Sequence, residues 1–158
     1  MRAYLLLLPI VFLFLGCKEE EVIPEEIPQT VEELIQGDWY VVNEKYEYYN
    51  SSNELIHQTS GISVQGDVKI TDWEFTENHS TGTLKSGYYS ISDIVGEKYI
   101  NISHDQAISS TFRIALIDKS EMVWVKESYG KYYHNGAGMS PSAKTLFYIS
   151  FKRKQNNQ

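Results

Sequence analysis

The sequence predicts an all-β fold: an eight-stranded antiparallel up-and-down barrel with a short N-terminal helical turn. Three observations carry that prediction. Apolar and polar residues alternate with period two, again and again, from Trp39 to Phe151, which places every second side chain on one buried face. Turn signals break the alternation at short intervals, and no helical pattern of useful length separates the strands, which excludes parallel βαβ units. Aromatic residues make up 13% of the chain, with 12 Tyr, a composition that favours pleated strands. An immunoglobulin-type sandwich would carry two cysteines around a tryptophan. This chain has one cysteine, Cys17, and so no internal disulfide. Short sequential connections then favour a meander that closes on itself and removes its own edges.

Taken in order, the chain begins with Arg2, an apolar run from Ala3 to Leu15, and Gly16-Cys17. A run of that length is shorter than the roughly 20 residues of a membrane span and fits the core of a secretory signal over residues 1–16. From Lys18 to Gln29, Glu and Pro mix with Val and Ile without a helical or strand period. Pro24 and Pro28 keep the segment extended. Residues 17–29 therefore read as an acidic tether whose twelve residues after Cys17 reach at most about 40 Å.

Thr30-Val31-Glu32-Glu33 has capping-box spacing, so each of Thr30 and Glu33 can satisfy a backbone N–H that a first helical turn leaves unpartnered. Val31, Leu34 and Ile35 share one face, and Gly37 stands where a left-handed helix end is expected. So short a helix needs a docking surface. Trp39 opens the first strand, which runs to Tyr49 and turns at Asn50–Asn53. The chain returns through Leu55–Gln58, continues from Gly61 to Val64, turns or bulges at Gly66-Asp67 and leads on through Val68–Ile70. Asp72–Glu77 alternates with Trp73 and Phe75 inward, and Asn78–Gly82 is a hairpin loop. Gly87 bends the next strand, whose inner face is Tyr89 and Ile91. Ile100 and Ile102 follow, then a turn at His104-Asp105, then Phe112, Ile114 and Leu116 on one face. Asp118–Ser120 is a tight turn, Met122–Val125 is apolar on both faces, and Phe147, Ile149 and Phe151 form the last inner face. The barrel domain spans residues 30–154, with a polar tail at 155–158.

Two resemblances add to this reading. Phe14-Leu15-Gly16-Cys17 resembles the lipobox of bacterial lipoproteins. That resemblance implies cleavage before Cys17, a diacylglycerol on its thiol and acylation of the new amino group. Lys18-Glu19-Glu20-Glu21 is similar to the export tag of surface lipoproteins of the Bacteroidota type. It implies an outer-membrane, surface-exposed location with the membrane reached through Cys17. Second, the helical turn, Gly37-Asp38-Trp39, and the later pieces Trp73-Glu74-Phe75, Gly87–Ile91, Met122–Trp124 and Tyr148–Arg153 resemble the lipocalin-like domains of such lipoproteins. This resemblance implies that Trp39 plugs one end of the barrel beneath a basic residue, Arg153, through a cation–π contact.

Several chemistries are excluded at this level. The formal net charge is −7, and the one dense basic cluster is Lys152-Arg153-Lys154, so no basic stripe offers itself to nucleic acid. His57, His79, His104 and His134 stand singly without metal-ligand spacing. There is no Gly-x-Ser-x-Gly and no phosphate-binding glycine loop, and Glu74 and Glu77 differ in strand parity. The chain is expected to be no enzyme and to need no cofactor. Asn50, Asn78 and Asn101 head Asn-x-Ser triplets, a pattern with little meaning for a bacterial lipoprotein.

What remains is binding. Tyr129–His134 leads into the glycine-containing stretch Asn135–Pro141, which suits a recognition surface or a hairpin extension packed on its neighbours. The expected ligand is small and apolar or amphipathic, held in the barrel mouth. Tyr129, Tyr132, Tyr133, His134 and Met139 are expected over that mouth, with Tyr89 and Trp124 in its wall. The alternative is a fully packed barrel whose loops bind a protein or glycan.

Overall fold

The computed structural model describes residues 29–61, 66–79, 82, 84–104 and 109–155. The signal segment, Cys17, most of the tether, the continuation after Gly61, the loop after His79, the turn after His104 and the end of the tail lie outside the described residues.

Helix α1 (Val31–Ile35) starts at the expected capping box: the Thr30 amide donates to Glu33 Oε2 at 2.9 Å and the Glu33 amide to Thr30 Oγ1 at 3.2 Å. Eleven strands are described. They are β1 (Gly37–Tyr49), β2 (Leu55–Gly61), β3 (Gly66–Ile70), β4 (Glu74–His79), β5 (Leu84–Ile94) and β6 (Glu97–His104). β7 (Ser109–Ile117), β8 (Glu121–Tyr129), β9 (Tyr132–His134), β10 (Met139–Pro141) and β11 (Lys144–Arg153) complete the series. Eight of them close the barrel in the order β1-β3-β4-β5-β6-β7-β8-β11, with β11 returning to β1 from Trp39↔Arg153 to Tyr49↔Lys144. Every pairing is antiparallel.

β1 outgrows the barrel. Its first residues, Gly37–Tyr40, pair with β3, whereas Glu44–Tyr49 pair with β2. A register shift between Val41 and Asn43 separates the two parts, and such a bulge bends a strand. β2 therefore flanks the second part of β1, whose other edge still pairs with β11, while β3 carries the wall on to β4. The stretch between β8 and β11 contains its own hairpin, β9–β10, and Ala143 N, just before β11, donates to Tyr49 O at 2.9 Å.

Three local expectations change. Trp73 does not face the core; β4 begins only at Glu74, after a turn closed by Thr71 N donating to Glu74 O. Trp73 is 55% exposed and stacks on Tyr88 at 5.2 Å. Leu116 is exposed as well, because a register shift between Ile114 and Leu116 moves the inward position to Ile117, and one slipped residue flips a side chain to the other face. Gly37 does not close the helix in a left-handed turn; Gln36 is extended, and Gly37 opens β1 at φ +131°. A Cβ there would run into the Arg153 guanidinium. Gly87 lies within the continuous strand β5, and a Cβ at that position would strike the Ser103 carbonyl of the neighbouring strand.

Candidate functional site

The inner face of the barrel divides into a filled half and a hollow half. The filled half lies under α1. Ile35 and Trp39 are fully buried there, with Ile70, Ile100 and Met122 beneath them. Trp39 Nε1 donates to Ile35 O at 2.8 Å, which ties the end of the helix to the plug. The Arg153 guanidinium sits 4.2 Å above the Trp39 ring and donates to Gln36 O at 2.7 Å and Leu34 O at 2.5 Å. Those carbonyls belong to the helix end and have no partner within the helix. Burial lowers the pKa of Arg153, opposed by the charge of Asp118.

The hollow half lies away from the plug and holds a cavity of about 180 Å³. Its apolar walls come from Val41, Val68, Ile102 and Ile149, and from Phe75, Phe112, Trp124 and Phe151. Trp124 is the centre of this aromatic cluster, with ring centroids 4.6 Å from Phe151, 5.7 Å from Phe112 and 6.2 Å from Phe75. Glu44, Glu77, His104 and Ser110 line the same cavity. They arrive from β1, β4, β6 and β7. Lys126, from β8, spans Phe112 and Ser110: its Nζ is 5.5 Å from the ring and 3.5 Å from Oγ. Two polar atoms of lining residues are buried without a hydrogen-bond partner, Trp124 Nε1 and His104 Nδ1. A second, larger concavity lined by Tyr40, Lys119, Glu121, Lys152 and Lys154 is an open surface groove on the outside of the plugged end.

Of the residues expected at a ligand site, Trp124 lines this cavity. Tyr89 packs against the core, and its hydroxyl donates to Thr71 O at 2.8 Å, on the plugged side. Tyr133 stacks on His57 at 4.6 Å and leans on Tyr48 at 5.0 Å, so it joins the hairpin β9–β10 to the β1–β2 hairpin. Tyr129, at the end of β8, and Tyr132, His134 and Met139, on β9 and β10, are exposed, and Tyr129 is held by a hydrogen bond to Glu127. Glu44, Glu77, His104 and Ser110 were not expected as one group. Parity along each strand is the signal that could have found Glu77, His104 and Ser110; Glu44 reaches the inside only through the bulge in β1. Among the described residues, no group of three or more His, Cys, Asp or Glu is arranged to hold a metal ion.

A separate cluster lies on the outer face between β1 and β11. Lys45 Nζ contacts Glu47 Oε1 at 2.8 Å and lies 4.2 Å over the Tyr148 ring, while Tyr49 donates to Glu47 Oε2 at 2.7 Å. Burial and the neighbouring Glu47 carboxylate push the Tyr148 phenol up to about 12. The folded state thus holds this proton after the unfolded chain has released its own, and stability is lost between the ordinary tyrosine value of about 10 and about 12. Tyr148→Phe is expected to remove that part of the alkaline decline in denaturant melts. An unchanged alkaline limb in the variant would refute the assignment.

No family model matches the chain, and no curated protein matches it. Among solved structures, it is similar to a de novo designed fluorescence-activating β-barrel, with a TM-score of 0.40 and 12% identity over 80% of this chain and all of that one. It is also similar to EF1p2_mFAP2b bound to DFHBI, with a TM-score of 0.38 and 15% identity over 77% of this chain and 94% of that one. From its own strand pairings, the chain is an all-β protein whose eight antiparallel strands close into a barrel with a short helix at one end.

Proposed function

We propose that this protein is a lipid-anchored, surface-exposed lipoprotein of the outer membrane that binds a small amphipathic ligand in the hollow half of its barrel. The single observation that carries the binding reading is the cavity of about 180 Å³ walled by four aromatic rings. Its size selects a compact guest. An apolar cavity of about 150 Å³ accommodates benzene, whereas sites for drug-sized molecules start at about 300 Å³. Toluene is therefore expected to bind the chain from residue 17 onward carrying Cys17→Ser, detected by calorimetric titration. Ile102→Phe, which fills the cavity, is expected to abolish the binding heat while the circular dichroism spectrum stays that of a β-barrel. Absence of toluene binding in the parent chain would instead favour an interaction protein. The exposed Tyr129, Tyr132, Met139 and Leu55 support that second reading.

The anchor rests on Phe14-Leu15-Gly16-Cys17. Among the described residues no helix is long and apolar enough to cross a membrane, so Cys17 is the attachment point this reading requires. Several acyl chains on one residue anchor stably, at about 0.8 kcal/mol per buried CH₂. The tether leads to Thr30, the cap of α1 at the plugged end of the barrel. The full chain with Cys17→Ser is expected to lose lipidation and to leave the outer-membrane fraction. Wild-type fractionation of that variant would overturn the anchor.

A further inference from the structure

Resting on the cavity reading above, we propose that the ligand is a neutral, ring-sized hydroxyl compound of the phenol class, and that Trp124 and His104 select its hydroxyl group. Two polar atoms of the cavity lining are buried without a hydrogen-bond partner, Trp124 Nε1 and His104 Nδ1. Buried polar groups are nearly always hydrogen-bonded, and each exception calls for a partner or a role. Both residues line one cavity, and both rings flank Phe75, Trp124 at 6.2 Å and His104 at 6.0 Å.

The indole N–H only donates, so its partner must present an acceptor. An ammonium has no acceptor and leaves this group unserved. A carboxylate or phosphate would accept, but two carboxylates, Glu44 and Glu77, line the same cavity against the nearby Lys126, so the surroundings carry more negative than positive charge and disfavour an anion. A hydroxyl is neutral, carries one donor and two lone pairs, and can accept from Trp124 while pairing with either tautomer of His104. The rest of the guest must match Phe75, Phe112 and Phe151, which suits a flat apolar ring in offset or edge contact. The cavity volume limits it to one ring with small substituents.

The test compares phenol with benzene, which differ by the hydroxyl alone, on the mature-length chain with Cys17→Ser. A site built to hydrogen-bond a hydroxyl discriminates strongly against the analogue that lacks it, so phenol is expected to bind about tenfold or more tighter than benzene by calorimetry. Trp124→Phe is expected to keep benzene binding and erase most of the phenol advantage. Should that variant fail to fold, the wild-type indole N–H resonance of Trp124 serves instead; it is expected to shift on adding phenol and to stay with benzene. Equal affinities, or an unmoved resonance at saturating phenol, would overturn the hydroxyl selection while leaving apolar binding intact. Binding of neither compound would overturn the cavity reading and this inference with it.

Discussion

Trp39→Ala is expected to lower the unfolding free energy by about 3–5 kcal/mol, the cost of truncating a buried large aromatic. The ring is fully buried, it donates from Nε1 to Ile35 O, and it carries the Arg153 guanidinium on its face. Truncation would open a void beneath α1 and leave the Ile35 carbonyl without its donor. Part of the loss comes from the helix. Five residues are too few to hold together alone, so α1 is expected to fray once its floor is gone. Urea denaturation followed by circular dichroism measures the effect, and a loss below about 1 kcal/mol would mean that Trp39 is not the plug.

Arg153→Ala is expected to cost about 2–4 kcal/mol, from two charge-assisted hydrogen bonds and a cation–π contact. The guanidinium is the one group that reaches Leu34 O, Gln36 O and the Trp39 ring together among the described contacts. A planar fork fits two carbonyls and an aromatic face; an ammonium does not. Arg153→Lys should therefore recover less than half of the loss. Residues in direct contact are not additive, so Trp39→Ala combined with Arg153→Ala should cost clearly less than the sum of the two. Additive losses would show that helix and plug are held by separate interactions.

Much of the plugged end was legible in the sequence because its signals are local. The Thr30/Glu33 spacing marks the helix start, and the apolar face of α1 points to docking. The partner of Trp39 was named through a resemblance, and the pairing Trp39↔Arg153 across β1 and β11 supplies its geometry. Trp73 shows where locality fails. Its alternation with Phe75 is that of an inward residue, yet the ladder begins one position later and the ring lies outside on Tyr88. Leu116 fails for a related reason, a bulge that changes parity within a strand whose composition gives no sign of it.

The site divides along the same line. Composition and alternation were enough to establish an all-β chain with an inner face, since side-chain direction in a strand follows from backbone geometry two residues at a time. Nothing in the spacing of Glu44, Glu77, His104 and Ser110 announces that they line one cavity. Glu77, His104 and Ser110 follow the parity of their strands and Glu44 enters through the bulge in β1, and they meet because β1 closes on β11. The tyrosines of 129–133 were conspicuous in the chain but belong to hairpins that pack outside the cavity, Tyr133 on His57 and Tyr48. Register between distant strands is a long-range property, set by how whole faces pack, and it decides which side chains share an interior.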